Sequence, residues 1–318
     1  MRANDSAIAS TPIAVATPAP GPAAPLPAPQ GRASGSGALL AVLGVASFSL
    51  TFPATAWALE GMAPWTVVML RNVLAAVLAG ACLVACRARL PARRHWFGIA
   101  VVAAGVVLGF PILTTLALQT STTSHAAVVV GLLPLTTAAY SAVRTGSRPS
   151  RTFWIAALVG AALVIAFAVQ QSGGRPSTGD LYLFAALVLC AAGYGEGGRL
   201  ARQMPGWRVI GWALVLSLPL TVLGAALSLY AEPAPRWTGH SVAGLVWLAV
   251  GSTFLGMMVW YRGMAAIGIS RASQLQLAQP LLTLVWSVTL LGEHLPPAAL
   301  LTALAVLACI VVTQRARS

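Results

Sequence analysis

"YRGMAAIGISRASQLQLAQPLLTLVWSVTLLGEHL", residues Tyr261–Leu295, carries three glutamines and a proline inside an otherwise apolar run. Gln274, Gln276 and Gln279 lie close together, Pro280 follows the last, and the flanks are leucine, valine and alanine. At about 100° per residue, Gln276 and Gln279 share a helix face, with Ser273, Pro280 and Thr283 close to it, while Gln274 points elsewhere. An unpartnered carboxamide in hydrocarbon is unfavourable, so the shared face is expected to look into protein or a wet cavity. Pro280 has no N–H, which frees the carbonyl of residue 276 beside that face. Hydrogen bonds that simply tie helices together are the alternative use for such amides.

The rest of the chain has the same apolar character. Of 318 residues, 58% are hydrophobic and 8% charged, and the mean hydropathy is +0.83. Soluble domains carry about 25% charged residues. The apolar residues form ten runs, near 38–58, 64–86, 97–117, 124–143, 152–170, 181–198, 209–230, 242–261, 272–291 and 296–313. Each is close to the ~20 residues that a helix needs to cross a ~30 Å hydrocarbon core. The sixth and tenth are the shortest. The fold class expected is therefore an all-α membrane protein with ten transmembrane helices. Residues 1–36, rich in alanine, proline and glycine, read as a disordered tail rather than a cleavable signal, because no apolar core follows Arg2 at the required distance.

The net charge of +13 does not indicate nucleic-acid binding. All nineteen basic residues are arginine, and they sit in the gaps between apolar runs rather than in one patch. With the N-terminus in the cytoplasm, sixteen fall on the cytoplasmic side, Arg175 and Arg236 fall outside, and Arg71 lies within a span. That asymmetry follows the positive-inside rule and places both termini in the cytoplasm. The four cysteines all fall in apolar runs with no CxxC, so neither metal ligation nor a disulfide is expected.

A shift of 146 residues brings the two halves into correspondence: Pro134 onto Pro280, Leu135 onto Leu281, Thr137 onto Thr283, Gly105 onto Gly251 and Gly146 onto Gly292. Each half holds five spans. An odd number turns the second half over in the membrane, giving two inverted five-helix repeats, residues 37–172 and 178–314. Secondary transporters are often built this way, with the site near the midplane between halves. The first-half counterparts of the three glutamines are Val128, Val130 and Leu133, so the path is expected to be chemically lopsided.

Four stretches, "APWTVVMLRNVLAAVLAG", "TLALQTSTTSHAAVVVGLLPL", "GRLARQ" and Tyr261–Leu295 with its terminal "LLGE", resemble the EamA-type members of the drug/metabolite transporter superfamily. The resemblance covers about residues 38–314. It implies a carrier of small organic molecules such as amino acids, metabolites or toxic compounds, often an exporter, often coupled to protons or to an exchanged solute. The chain departs from the family pattern in "AVRTGSRPS", where Ser147 stands opposite Glu293, and in "SFSLTFPATAW" of the first span.

Other polar residues in the spans are candidates. Arg71 lies about 10 Å into span two by helical rise. It either snorkels or pairs, with Glu60 or with carbonyls, or it binds an anionic substrate group. The resemblance adds weight to the last, since arginine is common at this position. His125 reads as an interfacial end cap or a proton-coupling group. Glu196 reads as an i,i+3 partner of Arg199 or a coupling carboxylate. Trp57, Tyr140, Trp260, Tyr261 and Trp286 are the aromatic cavity candidates, whereas most tryptophans fit the interfacial belt. No nucleophile, metal or nucleotide motif is visible, so neither catalysis nor a cofactor is expected. The expectation is a secondary transporter in a bacterial cytoplasmic membrane, monomer or homodimer, with a small-molecule substrate and lipid as its partners; a non-transporting scaffold or sensor is the alternative.

Overall fold

The computed structural model describes residues 35–146, 150–171, 174–175, 177–267, 275–276 and 278–315. Those residues contain helices and turns but no strand. Eight helical tracts are long and apolar enough to cross a membrane: α1 (Ser36–Leu59), α2 (Pro64–Ala85), α3 (Arg93–Ala117), α4 (Thr123–Arg144), α5 (Arg151–Gln171), α6 (Thr178–Ala201), α7 (Gly206–Ala231) and α8 (Gly239–Gly263). Two shorter apolar helices follow, α9 (Ala278–Leu291) and α10 (Pro297–Arg315). The proposed tail lies outside the described residues as far as residue 34, and helix begins at Gly35. Gln274 and Ser273 also lie outside them.

The sixth tract is longer than its hydropathy suggested, at 24 residues. Two local features extend it. Ser177 and Asp180 form a capping box that starts the helix early. At the other end the polar, glycine-rich "GYGEGGRLA" stays helical, with Glu196 held by two arginines.

Small residues let the helices meet closely and show their directions. Along α2 and α7, Gly224 faces Met69, Val215 faces Gly80 and Gly211 faces Leu83, so the two run antiparallel. Along α1 and α8, Gly44 lies against Trp260, and Ala41 against Gly263. Along α3 and α6, Gly105 meets Leu189 and Gly193, and Gly98 meets Leu200. The remaining close pairs are α4 with α9 and α5 with α10.

Two tracts contain a π-helical segment: Ala103–Gly109 in α3 and Trp247–Gly256 in α8. Such segments leave main-chain carbonyls in need of donors, and they are frequent at functional sites. Asn72 Nδ2 donates to the Val107 carbonyl at 2.8 Å. Pro111, four residues on, lacks the N–H that would otherwise bond there. In the second segment, Ser47 Oγ donates to the Gly251 carbonyl at 2.7 Å. The same logic applies at the break in α1 after Ser49: Pro53 leaves the Ser49 carbonyl open, and Thr283 Oγ1 of α9 donates to it at 2.9 Å. Gly146 after α4 and Gly292 after α9 both adopt the left-handed conformation, with φ 66° and 65°. Glycine takes that conformation without the Cβ penalty.

Candidate functional site

A cavity with about 620 Å³ of empty space, including its open mouth, lies among α1, α2, α3, α4, α6, α7, α8 and α9. Its apolar wall is Phe48, Phe52, Phe110, Leu133, Val106 and Met257. Its polar groups are Arg71, Thr51, Ser252, Thr253, Tyr194, Cys190 and Gln279. A second cavity of about 330 Å³ shares Phe52, Leu133 and Gln279 with the first. Gln276, Pro134, Pro280 and Thr283 also line it. Gln276 and Gln279 therefore open onto one space, and the prolines of α4 and α9 face each other across it.

Arg71 does not pair with Glu60 and does not reach the interface. Its residue is 5% exposed, and Nη2 donates to Thr253 Oγ1 at 2.7 Å. Nε is buried with no partner among the described residues. Thr253 belongs to the π-helical segment of α8, so the distorted backbone sets the hydroxyl that meets the guanidinium. Beside them, Thr51 Oγ1 and Ser252 Oγ share a hydrogen bond at 2.7 Å.

The five described carboxylates are all engaged elsewhere. Glu60 is exposed and pairs with His240 at 3.0 Å. Glu232, just beyond α7, accepts from Thr66 N and Thr66 Oγ1 in the first turn of α2. Glu293, just beyond α9, accepts from Thr123 N at 2.8 Å, Ser124 N at 2.9 Å and Ser124 Oγ at 2.5 Å, in the first turn of α4. Glu196 is 1% exposed and bridges Arg199 at 2.7 Å, the expected i,i+3 contact, and also Arg144 at 3.0 Å. Asp180 is fully buried and meets His125 Nε2 at 2.6 Å. The sixth acidic residue, Asp5, lies outside the described residues.

His125 is buried rather than interfacial. Its ring stacks on Phe167, and its position at the start of α4 is fixed by the Thr122 cap. It lines neither cavity, and neither does Glu196. Thr137 has a buried hydroxyl with no partner among the described residues, and Tyr140 is half-buried on the same helix; neither lines the cavities. Trp57 stacks on His240 near Glu60. Trp260 packs edge-on against Phe48 and onto Gly44, and Tyr261 packs onto Gly206 and Gly197. These three stand behind or beyond the cavity walls. Trp286 Nε1 donates to Ser49 Oγ at 2.9 Å and ties α9 to the break in α1.

Comparison with known proteins agrees with this architecture. The model of the EamA-like transporter family matches the chain twice, over residues 35–168 and 177–314. The chain belongs to the EamA-like transporter family. It is 42% identical over 276 residues to a protein of Bacillus subtilis (strain 168) described as uncharacterized transporter YdeK, covering 86% of this chain and 95% of that one. A protein of known crystal structure, 20% identical, shares the fold at a TM-score of 0.62 over 87% of this chain and 96% of its own. This EamA-like chain is a multi-pass membrane transporter rather than an enzyme. Its central cavity is the part of the molecule with the shape and polarity to hold a solute. Ligand pockets generally span about 300–1,000 Å³, and the cavity is of that size.

Sequence reading did not find Thr51, Ser252, Thr253, Tyr194 or Cys190 as cavity groups. A lone hydroxyl in a membrane helix bonds its own main chain as readily as it faces a site. Only the π-helical geometry separates Thr253 from the other buried threonines, and the sequence gives no local sign of it.

Proposed function

We propose that the chain is a secondary transporter that exports small organic solutes, amino acids or related metabolites and drugs, by alternating access. The two matched segments would act as inverted five-helix repeats, residues 37–172 and 178–314, and the short helices α9 and α10 would complete ten spans. The N-terminal 36 residues would be a cytoplasmic tail, with both termini inside a bacterial cytoplasmic membrane. Movement would be driven by protons or an exchanged solute, with monomer or homodimer as the assembly.

One observation carries this reading: the cavity is built from both halves and is polar on one side only. The first half contributes Phe48, Phe52, Arg71 and Phe110, and the second contributes Tyr194, Ser252, Thr253 and Gln279. The inverted repeat is supported by packing. Exchanging the halves turns the α3–α6 contact into α8–α1 and leaves the pairs α2–α7, α4–α9 and α5–α10 as pairs. The two π-helical segments and the two left-handed glycines exchange in the same way, Gly105 with Gly251 and Gly146 with Gly292. In this reading substrate lies against Arg71, Gln276, Gln279, Pro280, Thr283 and Pro134. Thr137, Tyr140, Trp57, Trp260 and Tyr261 would shape the path around it, and His125 and Glu196 would be the candidate coupling groups.

The test is counterflow in proteoliposomes with a panel of labelled amino acids and organic acids. Gln276→Leu and Gln279→Leu should each lose transport of the solute moved by the wild type while keeping its melting temperature. Wild-type rates in both variants would remove the glutamine face from the path.

A further inference from the structure

We infer that the central cavity selects small organic monoanions with an apolar body, held through Arg71 and Thr253. The inference rests on the transport reading above and names the chemical class of the solute.

The argument begins with charge balance. A guanidinium out of water needs a counter-charge or a full set of acceptors. Arg71 is 5% exposed, yet its Nη2 bond to Thr253 is its one hydrogen bond among the described residues, and Nε has no partner. Only six acidic residues exist in the chain. Glu60, Asp180, Glu196, Glu232 and Glu293 are held by other partners, and Asp5 lies in the N-terminal stretch. No described carboxylate is left to neutralise Arg71. The cavity therefore holds one net positive charge, and an anion that enters it supplies the missing partner.

Geometry adds a second donor. Thr253 Oγ1 accepts from Arg71, so its own hydrogen is directed elsewhere. Guanidinium and hydroxyl together suit the two oxygens of a carboxylate. Around them, Phe48, Phe52, Phe110 and Leu133 offer an apolar wall, which suits a hydrocarbon or aromatic body. A cation would meet Arg71 with no carboxylate to offset the repulsion. A dianion would bring one charge more than the cavity neutralises.

Isothermal titration of the full-length protein in lipid nanodiscs separates these cases. The probes are 3-phenylpropanoate, 3-phenylpropanamide and 3-phenylpropylammonium, which share one body and differ in head group; empty nanodiscs correct for partitioning. The carboxylate should bind at least about tenfold more tightly than the amide, and the ammonium more weakly still. Arg71→Gln should erase that preference, and Arg71→Lys should keep part of it. The wild-type series needs no variant to fold. Equal binding of carboxylate and amide, or preference for the ammonium, overturns the anion assignment and leaves the transport cavity standing. Failure of all three probes to bind overturns the assignment, and if the counterflow panel also shows no movement, the transport reading falls with it.

Discussion

Replacing Glu293 tests whether the clamp between α9 and α4 holds the two halves together. Its carboxylate accepts two main-chain N–H bonds and one hydroxyl bond from the first turn of α4. Each hydrogen bond to a charged group contributes about 1.5–3 kcal/mol, and the helix N-terminus favours a negative charge by a further ~0.3–1 kcal/mol. Glu293 is half-buried, so water recovers part of the loss. A working figure for Glu293→Ala is about 3 kcal/mol, which lowers the melting temperature by roughly 6 °C for a chain of this size. Glu293→Gln keeps one acceptor oxygen but turns an amide donor toward the N–H groups, so about half that loss is expected. The assay is a fluorescence-detected thermal melt in detergent, run beside Glu60→Ala as a control. Glu60 is exposed with one histidine partner, and its removal should move the melt by no more than about 2 °C. A double-mutant cycle with Ser124→Ala should return a coupling of about 1 kcal/mol. A Glu293→Ala melt that matches the control, or a coupling near zero, would refute the clamp.

Further outcomes follow from the packing. A Cβ on Gly105 would run into the Leu189 carbonyl of α6, whereas one on Gly198 meets nothing within 4 Å. Gly105→Ala should lower the melting temperature and Gly198→Ala should not, and similar melts for the two would contradict the close α3–α6 contact. Arg144 and Arg199 are 55% and 42% exposed at their side chains, while Glu196 between them is buried. Either arginine replaced by alanine alone should change stability by about 1 kcal/mol or less. Losing both leaves a buried carboxylate unpaired and should exceed the sum of the single changes by at least about 2 kcal/mol. Additive losses across that cycle would show that the arginines act independently.

The bundle was legible from hydropathy and arginine placement because a lipid environment imposes length and charge rules on every span. Those rules placed most helix ends within a few residues of the observed ones, as at Pro64–Ala85. The exception, α6, owes its length to a capping box and to an ion triad, both polar features that a hydropathy window discounts. At the cavity, Arg71, Gln276 and Gln279 stood out because a charge or an amide in hydrocarbon demands explanation. Thr253, Ser252 and Thr51 did not, since a hydroxyl is tolerated almost anywhere in a membrane helix. The partners of the carboxylates were illegible for another reason. Glu232 meets Thr66 and Glu293 meets Ser124 across 166 and 169 residues of sequence, and nothing local encodes contacts of that separation.

The π-helical segment of α8 has a consequence for how the chain tolerates insertion and deletion. Removing one residue between Trp247 and Gly256 would let the backbone return to ordinary α-helix, turning everything beyond it by about 100° relative to what precedes it. Either the Thr253 hydroxyl would swing off Arg71, or the Trp260–Gly263 edge would lose its seat on Gly44 and Ala41. The helix satisfies both neighbours only because it carries a phase offset between them. Tracts α3 and α8 are thus places where chain length is tuned to the single residue, while the turn after α7 has no comparable phase to keep.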